Sequence, residues 1–162
     1  MFKKLCAIVC VCAALSGCVG RDGAELYGEN GGWKEDVNVM DLQKTNLTGK
    51  FKETGSDVVY FKLDSSELNA EARANLAKQA VWLQDNPRAL IVLEGNCDER
   101  GTVEYNLALG ERRANAARNY LMANGIEAKR IRTISYGKDK PAALGSTEEA
   151  WAKNRNATTV AY

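Results

Sequence analysis

Five consecutive apolar residues, Ala89 to Leu93, constrain the fold of this 162-residue chain more than any other stretch. A strand with one wet face alternates apolar and polar side chains. A run without alternation needs cover on both faces and predicts a central strand. A charged turn bounded by glycines follows, Gly95-Asn96-Cys97-Asp98-Glu99-Arg100-Gly101. Thr102 to Ala123 then reads as a long helix, with Ala114, Ala117 and Leu121 on one face and Asn124-Gly125 as its stop. Strand, turn and helix bring an acid, Asp98, and a base, Arg113, to one end of a sheet. Asn106, Leu109 and Arg113 are spaced three and four apart, so they share a helix face.

The remaining elements fall around this unit. Val58 to Leu63 is rich in β-branched and aromatic residues and predicts a strand, broken by Asp64-Ser65-Ser66. A helix begins at Asn69. Its apolar stripe is Ala72, Leu76, Ala80 and Leu83, and Asn86-Pro87 ends it. Ile131 to Tyr136 is a third strand and Gly137 to Gly145 a loop containing Pro141. Thr147 to Asn154 is a short helix capped by Ser146 or Thr147, and Ala157 to Tyr162 is a last strand. The expectation is an α/β fold, an α+β sandwich over residues 56–162, ordered β-α-β-α-β-(short α)-β, with helices packed on a small mixed sheet.

Charge and composition exclude several functions. The chain has no histidine, which removes Ser-His and Cys-His relays and the commonest metal ligand. No catalytic residue, metal site or cofactor is expected. Four of the five cysteines, Cys6, Cys10, Cys12 and Cys18, crowd the start of the chain, so there is no disulfide framework. Cys97 reads as a buried, inert thiol. Of 22 basic side chains, Lys3 and Lys4 lie in a segment expected to be removed, leaving 20 against 21 acidic ones, net −1. That balance does not point to nucleic acid.

Met1-Phe2-Lys3-Lys4, the uncharged run Leu5 to Leu15 and the small residues after it have the features of an export signal, residues 1–17. Leu15-Ser16-Gly17-Cys18 resembles the bacterial lipobox, which implies lipidation of Cys18 as the first mature residue. Two or more acyl chains make a firm anchor, since each buried methylene contributes roughly 0.8 kcal/mol. Val19 stands where an Asp would retain a lipoprotein at the inner membrane, which favours the outer membrane. Residues 18–55 are polar and glycine-rich and read as a flexible linker with a typical reach of roughly 30 Å. Trp33, Val37, Val39, Met40 and Leu42 are scattered apolar positions in it, without a convincing period.

Glu94 to Thr102, the run Tyr105 to Ala116, and Ser135-Tyr136-Gly137-Lys138 with Lys140-Pro141-Ala142 together resemble the OmpA-like C-terminal domain family, over about Val58 to Tyr162. The resemblance implies a domain that binds peptidoglycan non-covalently through the diaminopimelate of its stem peptide. Asp98 matches the family's acidic ligand and Arg113 its basic one. A carboxylate pairs with the ammonium at the free end of diaminopimelate, and a guanidinium grips the carboxylate there with two hydrogen bonds. Asn106, Leu109, Thr102, Asp64 and Leu63 complete the expected pocket. Leu63 stands where the family usually has an aromatic residue, Cys97 where Thr or Ala is common, and Asn156 where an Arg usually follows Arg155. The implied role is a lipid-anchored tether between outer membrane and cell wall, with TolB and other Tol-system proteins as partners.

The residues also admit other readings. Asp98-Glu99-Arg100-Gly101 is equally a solvated charge cluster, and for Glu99, Arg100 and Arg112 the structural reading leads. A peptidoglycan-cleaving enzyme is the competing function. Asp98 and Glu99 are adjacent carboxylates, but a glycosidase needs its pair about 5 Å or more apart across a cleft. Ser135-Tyr136-Gly137-Lys138 matches Ser-x-x-Lys, but it falls at a strand end and its companion motifs are missing. A stator-like or porin-linked anchor would need a transmembrane helix or barrel. Asp98→Ala and Arg113→Ala are expected to abolish wall binding and leave the circular dichroism spectrum intact.

Overall fold

A computed structural model describes residues 46–162. Lipidation at Cys18, the export signal and the apolar positions Trp33 to Leu42 lie outside the described residues. The elements are α1 (Asn46–Lys52), β1 (Val58–Tyr60), α2 (Ala70–Asp85), β2 (Ile91–Asn96), α3 (Val103–Ala123), a 3₁₀ turn (Ala128–Arg130), β3 (Ile131–Gly137), α4 (Glu148–Asn154) and β4 (Asn156–Ala161). The sheet order is β1-β4-β2-β3. β2 and β3 are parallel, and β4 runs antiparallel to both β2 and β1. The mixed sheet and packed helices are the fold expected from the sequence.

β2 is buried at every position, for the reason its composition requires. Ile91 and Leu93 join the main core with the α2 stripe Ala72, Leu76, Ala80 and Leu83 and the α3 stripe Ala114, Ala117 and Leu121. Val92 points the other way, into a smaller cluster with Val160 and Tyr162. The helix ends follow their local chemistry. Asn69, Thr102 and Thr147 accept hydrogen bonds from backbone N–H groups three residues on, as N-caps do. Gly125, at φ 88°, ends α3. There the N–H groups of Gly125 and Ile126 donate to the carbonyls of Met122 and Leu121, the Schellman arrangement.

Two elements differ from expectation. β1 stops at Tyr60 instead of Leu63. The Phe61 N–H still donates to the Arg155 carbonyl, but beyond it the Lys62 and Ser65 carbonyls accept from Arg113, and Asp64 takes a positive φ of 53°. The chain leaves the sheet because a buried guanidinium on α3 captures its carbonyls. The second difference is α1, which falls inside the stretch read as linker. Phe51 is fully buried, with its ring edge-on to Trp82 at 4.9 Å. The Thr48 hydroxyl donates to the Ala161 carbonyl at the end of β4. A helix of seven residues anchored by Leu47 and Phe51 is too short to show a period, so the packed unit takes in ten residues that composition assigns to a tether.

One close approach sets the geometry of the site. A Cβ on Gly95 would lie 1.9 Å from the Gly110 carbonyl oxygen, and a Cβ on Gly110 would lie 2.3 Å from Ser135 Oγ. The two glycines let α3 sit directly on the ends of β2 and β3. This seats the first turns of the helix against the loop that carries Asp98.

Candidate functional site: a charged hollow at the end of the central strand

At the C-terminal end of β2 the chain opens a hollow of about 260 Å³. Its wall includes Asp98, Arg100 and Gly101 from the turn, Tyr105, Asn106, Leu109 and Arg113 from α3, and Leu63 and Asp64 from the loop after β1, with Cys97 beside them. Six of the seven residues expected from the sequence therefore meet here. Thr102 stands outside the wall, because its hydroxyl caps α3 by accepting the Tyr105 N–H. Gly101, at φ 93°, makes the turn possible, and Asn106 fastens it by donating to the carbonyls of Arg100 and Thr102.

Arg113 is 1% exposed and is the largest fully buried side chain among the described residues. Its Nε donates to the Ser65 carbonyl (2.9 Å), Nη1 to the Asn96 carbonyl (2.7 Å) and Cys97 Sγ (3.4 Å), and Nη2 to the Lys62 carbonyl (3.2 Å). The Phe61 ring lies 5.3 Å from the guanidinium carbon. Four of the five N–H donors of a guanidinium are thus committed. This corrects the expected two-bond grip: a carboxylate in the hollow meets the charge and the one remaining N–H. Burial pulls the Arg113 pKa below its ordinary value, with Cys97 and Asp98 opposing that shift. A guanidinium nonetheless stays protonated in proteins. Among the described residues no carboxylate forms a salt bridge with it. Three backbone carbonyls, the Cys97 sulfur and the Phe61 ring hold a buried cation, which leaves the site short of an anion.

Asp98 is buried too, but it is fully partnered. Its Oδ1 accepts from the backbone N–H and Nε of Arg100, both at 3.2 Å. Its Oδ2 accepts from Arg100 Nη2 at 2.6 Å and Arg155 Nη1 at 3.4 Å. Burial pushes the carboxyl pKa up, but the hydrogen bonds from Arg100 and Arg155 outweigh it and hold it below the usual value. Arg100 and Arg155 are the residues that sequence reasoning missed. Arg100 was visible two positions after Asp98, the spacing of a turn whose backbone N–H returns to an Asp side chain. Arg155 comes from the far end of the chain, and no local pattern announces it.

The departures from the family pattern each have a place. Leu63 is 57% exposed at the rim, where a larger side chain would meet open space. The Cys97 thiol is buried, donates to the Asn106 carbonyl, and has its pKa raised by burial. Asn156 accepts a hydrogen bond from Asn96 and donates to the Lys153 carbonyl. The Tyr105 hydroxyl donates to Asp64, tying the helix to the loop after β1. Glu99 turns outward and accepts from the Trp151 indole, and Arg112 lies 5.8 Å from the Tyr105 ring. The Ser-x-x-Lys pair is engaged elsewhere: Ser135 donates to the Leu107 carbonyl and Lys138 to the carbonyls of Glu99 and Gly101.

Comparison with known proteins identifies the fold. The model of the OmpA family matches residues 60–155. The chain belongs to the OmpA family. Within it the chain groups with proteins named peptidoglycan-associated lipoprotein. That of Pasteurella multocida is 40% identical over 96% of this chain and 97% of its own length. That of Brucella melitensis is 51% identical over 64% of this chain and 62% of its own length, so the match spans under two thirds of that relative. The crystal structure of the peptidoglycan-associated lipoprotein from Burkholderia pseudomallei superposes with a TM-score of 0.64 at 43% identity, over 65% of this chain and 90% of that one. The C-terminal domain of Helicobacter pylori MotB shares the fold at 21% identity, with a TM-score of 0.61 over 65% of this chain and 84% of that one.

Proposed function

We propose that this chain is a lipoprotein of the outer membrane, anchored through lipid on Cys18, whose periplasm-facing domain binds peptidoglycan non-covalently and ties membrane to wall. The ligand is the zwitterionic end of diaminopimelate in the stem peptide. Its carboxylate supplies the anion that Arg113 lacks, and its ammonium faces Asp98. The observation that carries the reading is the buried Arg113 guanidinium without a carboxylate partner, in a hollow it shares with Asp98. The names of the full-length relatives support the same reading. Through TolB and other Tol-system proteins the tether would serve envelope integrity and cell division.

The role of the site is binding and not bond cleavage. Asp98, held ionised by Arg100 and Arg155, is unsuited to the general acid that a glycosidase needs. Sedimentation of the full chain, in mild detergent, with purified sacculi tests the proposal. Retention without release of muropeptides is the expected result, and Asp98→Ala is expected to remove retention. Release of soluble fragments would favour the hydrolase, and retention that survives Asp98→Ala would remove the site assignment.

A further inference from the structure

If the hollow takes an ammonium at Asp98, that carboxylate is already occupied. Both its oxygens are engaged, chiefly by Arg100, which supplies its Nε at 3.2 Å, its Nη2 at 2.6 Å and its own backbone N–H. The other partner, Arg155, is pinned from three sides. It donates to Asp98, to the Phe61 carbonyl and to Glu148 Oε1, and its side chain is only 9% exposed. Arg100 is different. Its side chain is 35% exposed and faces the hollow. On its other side it is held at the same time: its guanidinium carbon lies 4.1 Å from the centre of the Trp151 ring, and its Nη1 lies 3.9 Å from Glu148 Oε2. Those two contacts keep the Arg100 charge partnered if another cation takes Asp98, since an arginine over an indole is attracted by the ring's negative face.

We infer that Arg100 is a displaceable counter-ion: it holds Asp98 while the hollow is empty and gives it up, keeping Trp151 and Glu148, when the ligand's ammonium arrives. This rests on the binding reading above and adds a specificity device to it. Arg100 competes from within the same turn, at an effective concentration that a free amine does not match. A simple cation therefore fails to displace it. A zwitterion succeeds, because its carboxylate gains Arg113 in the same event. The residue sets which ligands enter, beyond how tightly they hold.

The two ends of the device predict opposite effects. The full chain in mild detergent is titrated with a purified diaminopimelate muropeptide and with the same muropeptide amidated on the diaminopimelate carboxylate. Arg100→Gln removes the competitor. It is expected to bind the muropeptide about three- to tenfold tighter, the scale of a partly exposed ion pair, and to discriminate less against the amidated form. Trp151→Leu removes the contact on which Arg100 must lean harder once Asp98 is given up, and is expected to bind about three- to tenfold weaker. A residue that only positioned Asp98 would weaken binding on either change. Weaker or unchanged binding in Arg100→Gln therefore overturns the inference. Should that variant fail to fold, unaltered binding in a folded Trp151→Leu, checked by circular dichroism, overturns it equally. Failure of the underlying reading has a separate signature: no binding by the unaltered chain, or binding indifferent to Asp98→Ala.

Discussion

The two ends of the sheet each hold a buried arginine, and the comparison separates structure from function. Arg130, at the start of β3, donates to the carbonyls of Leu83, Asn86 and Ala89, at 2.8–3.0 Å. Two of those carbonyls belong to the last turn and cap of α2, where a cation is favoured by the helix dipole. Arg113, at the opposite end, donates to the carbonyls of Lys62, Ser65 and Asn96. Both are buried arginines that donate to three backbone carbonyls. The difference is what lies in front: Arg130 closes a helix end, whereas Arg113 borders a hollow with an ionised aspartate in its wall. On the binding reading proposed above, a buried cation held by carbonyls becomes a binding group only where space for an anion is left beside it.

The sharpest way to break this comparison is to remove each arginine in turn. Arg113→Ala and Arg130→Ala are each expected to cost about 3–5 kcal/mol, because each leaves several buried carbonyls unpaired. Chemical denaturation measures that loss. The loss is expected for Arg113 because its side chain organises the loop after β1. Binding per folded molecule separates the pair: it vanishes with Arg113 and persists without Arg130.

Phe51→Ala sharpens the same contrast away from the hollow. Loss of a fully buried ring is expected to cost about 3–4 kcal/mol by denaturant melt, with sacculus retention unchanged in the folded fraction. A smaller change would show that α1 contributes little to the packed unit.

Asp98→Asn probes the charged wall through pH. The Asp98 pKa is depressed in the fold, so its stabilising contribution is present above the ordinary carboxylate pKa and fades as pH falls through the depressed value. Stability of the unaltered chain should decline below about pH 4, and the corresponding slope should be shallower in Asp98→Asn. Equal slopes in acid-unfolding curves would mean that Asp98 is not held by its arginines.

The smallest effect belongs to the rim. Leu63→Phe should tighten muropeptide binding by about two- to threefold, through added apolar contact beside the hollow, with little change in stability. Isothermal titration reads it. Weaker binding would show that the exposed leucine already suits the ligand.

Much of this architecture was legible in the residues because its causes are local. The unbroken apolar run made β2 central, the spacing of Ala114, Ala117 and Leu121 turned α3 toward the core, and Thr102, Asn124 and Gly125 marked its ends. Asp98 and Arg113 could be paired because one turn and one helix separate them. Tertiary contacts decided the rest. Residues 46–52 became a helix because Phe51 found a cavity against Trp82 and Thr48 found the end of β4, neither of which local composition encodes. β1 ended early because a guanidinium from α3 took its carbonyls. Asp98 gained a second partner in Arg155, brought from 57 residues away by the pairing of β4 with β2. Sequence alone determined that Asp98 and Arg113 reach this end of the sheet; only the folded chain decided what each of them is paired with, because that depends on distances between segments that share no pattern.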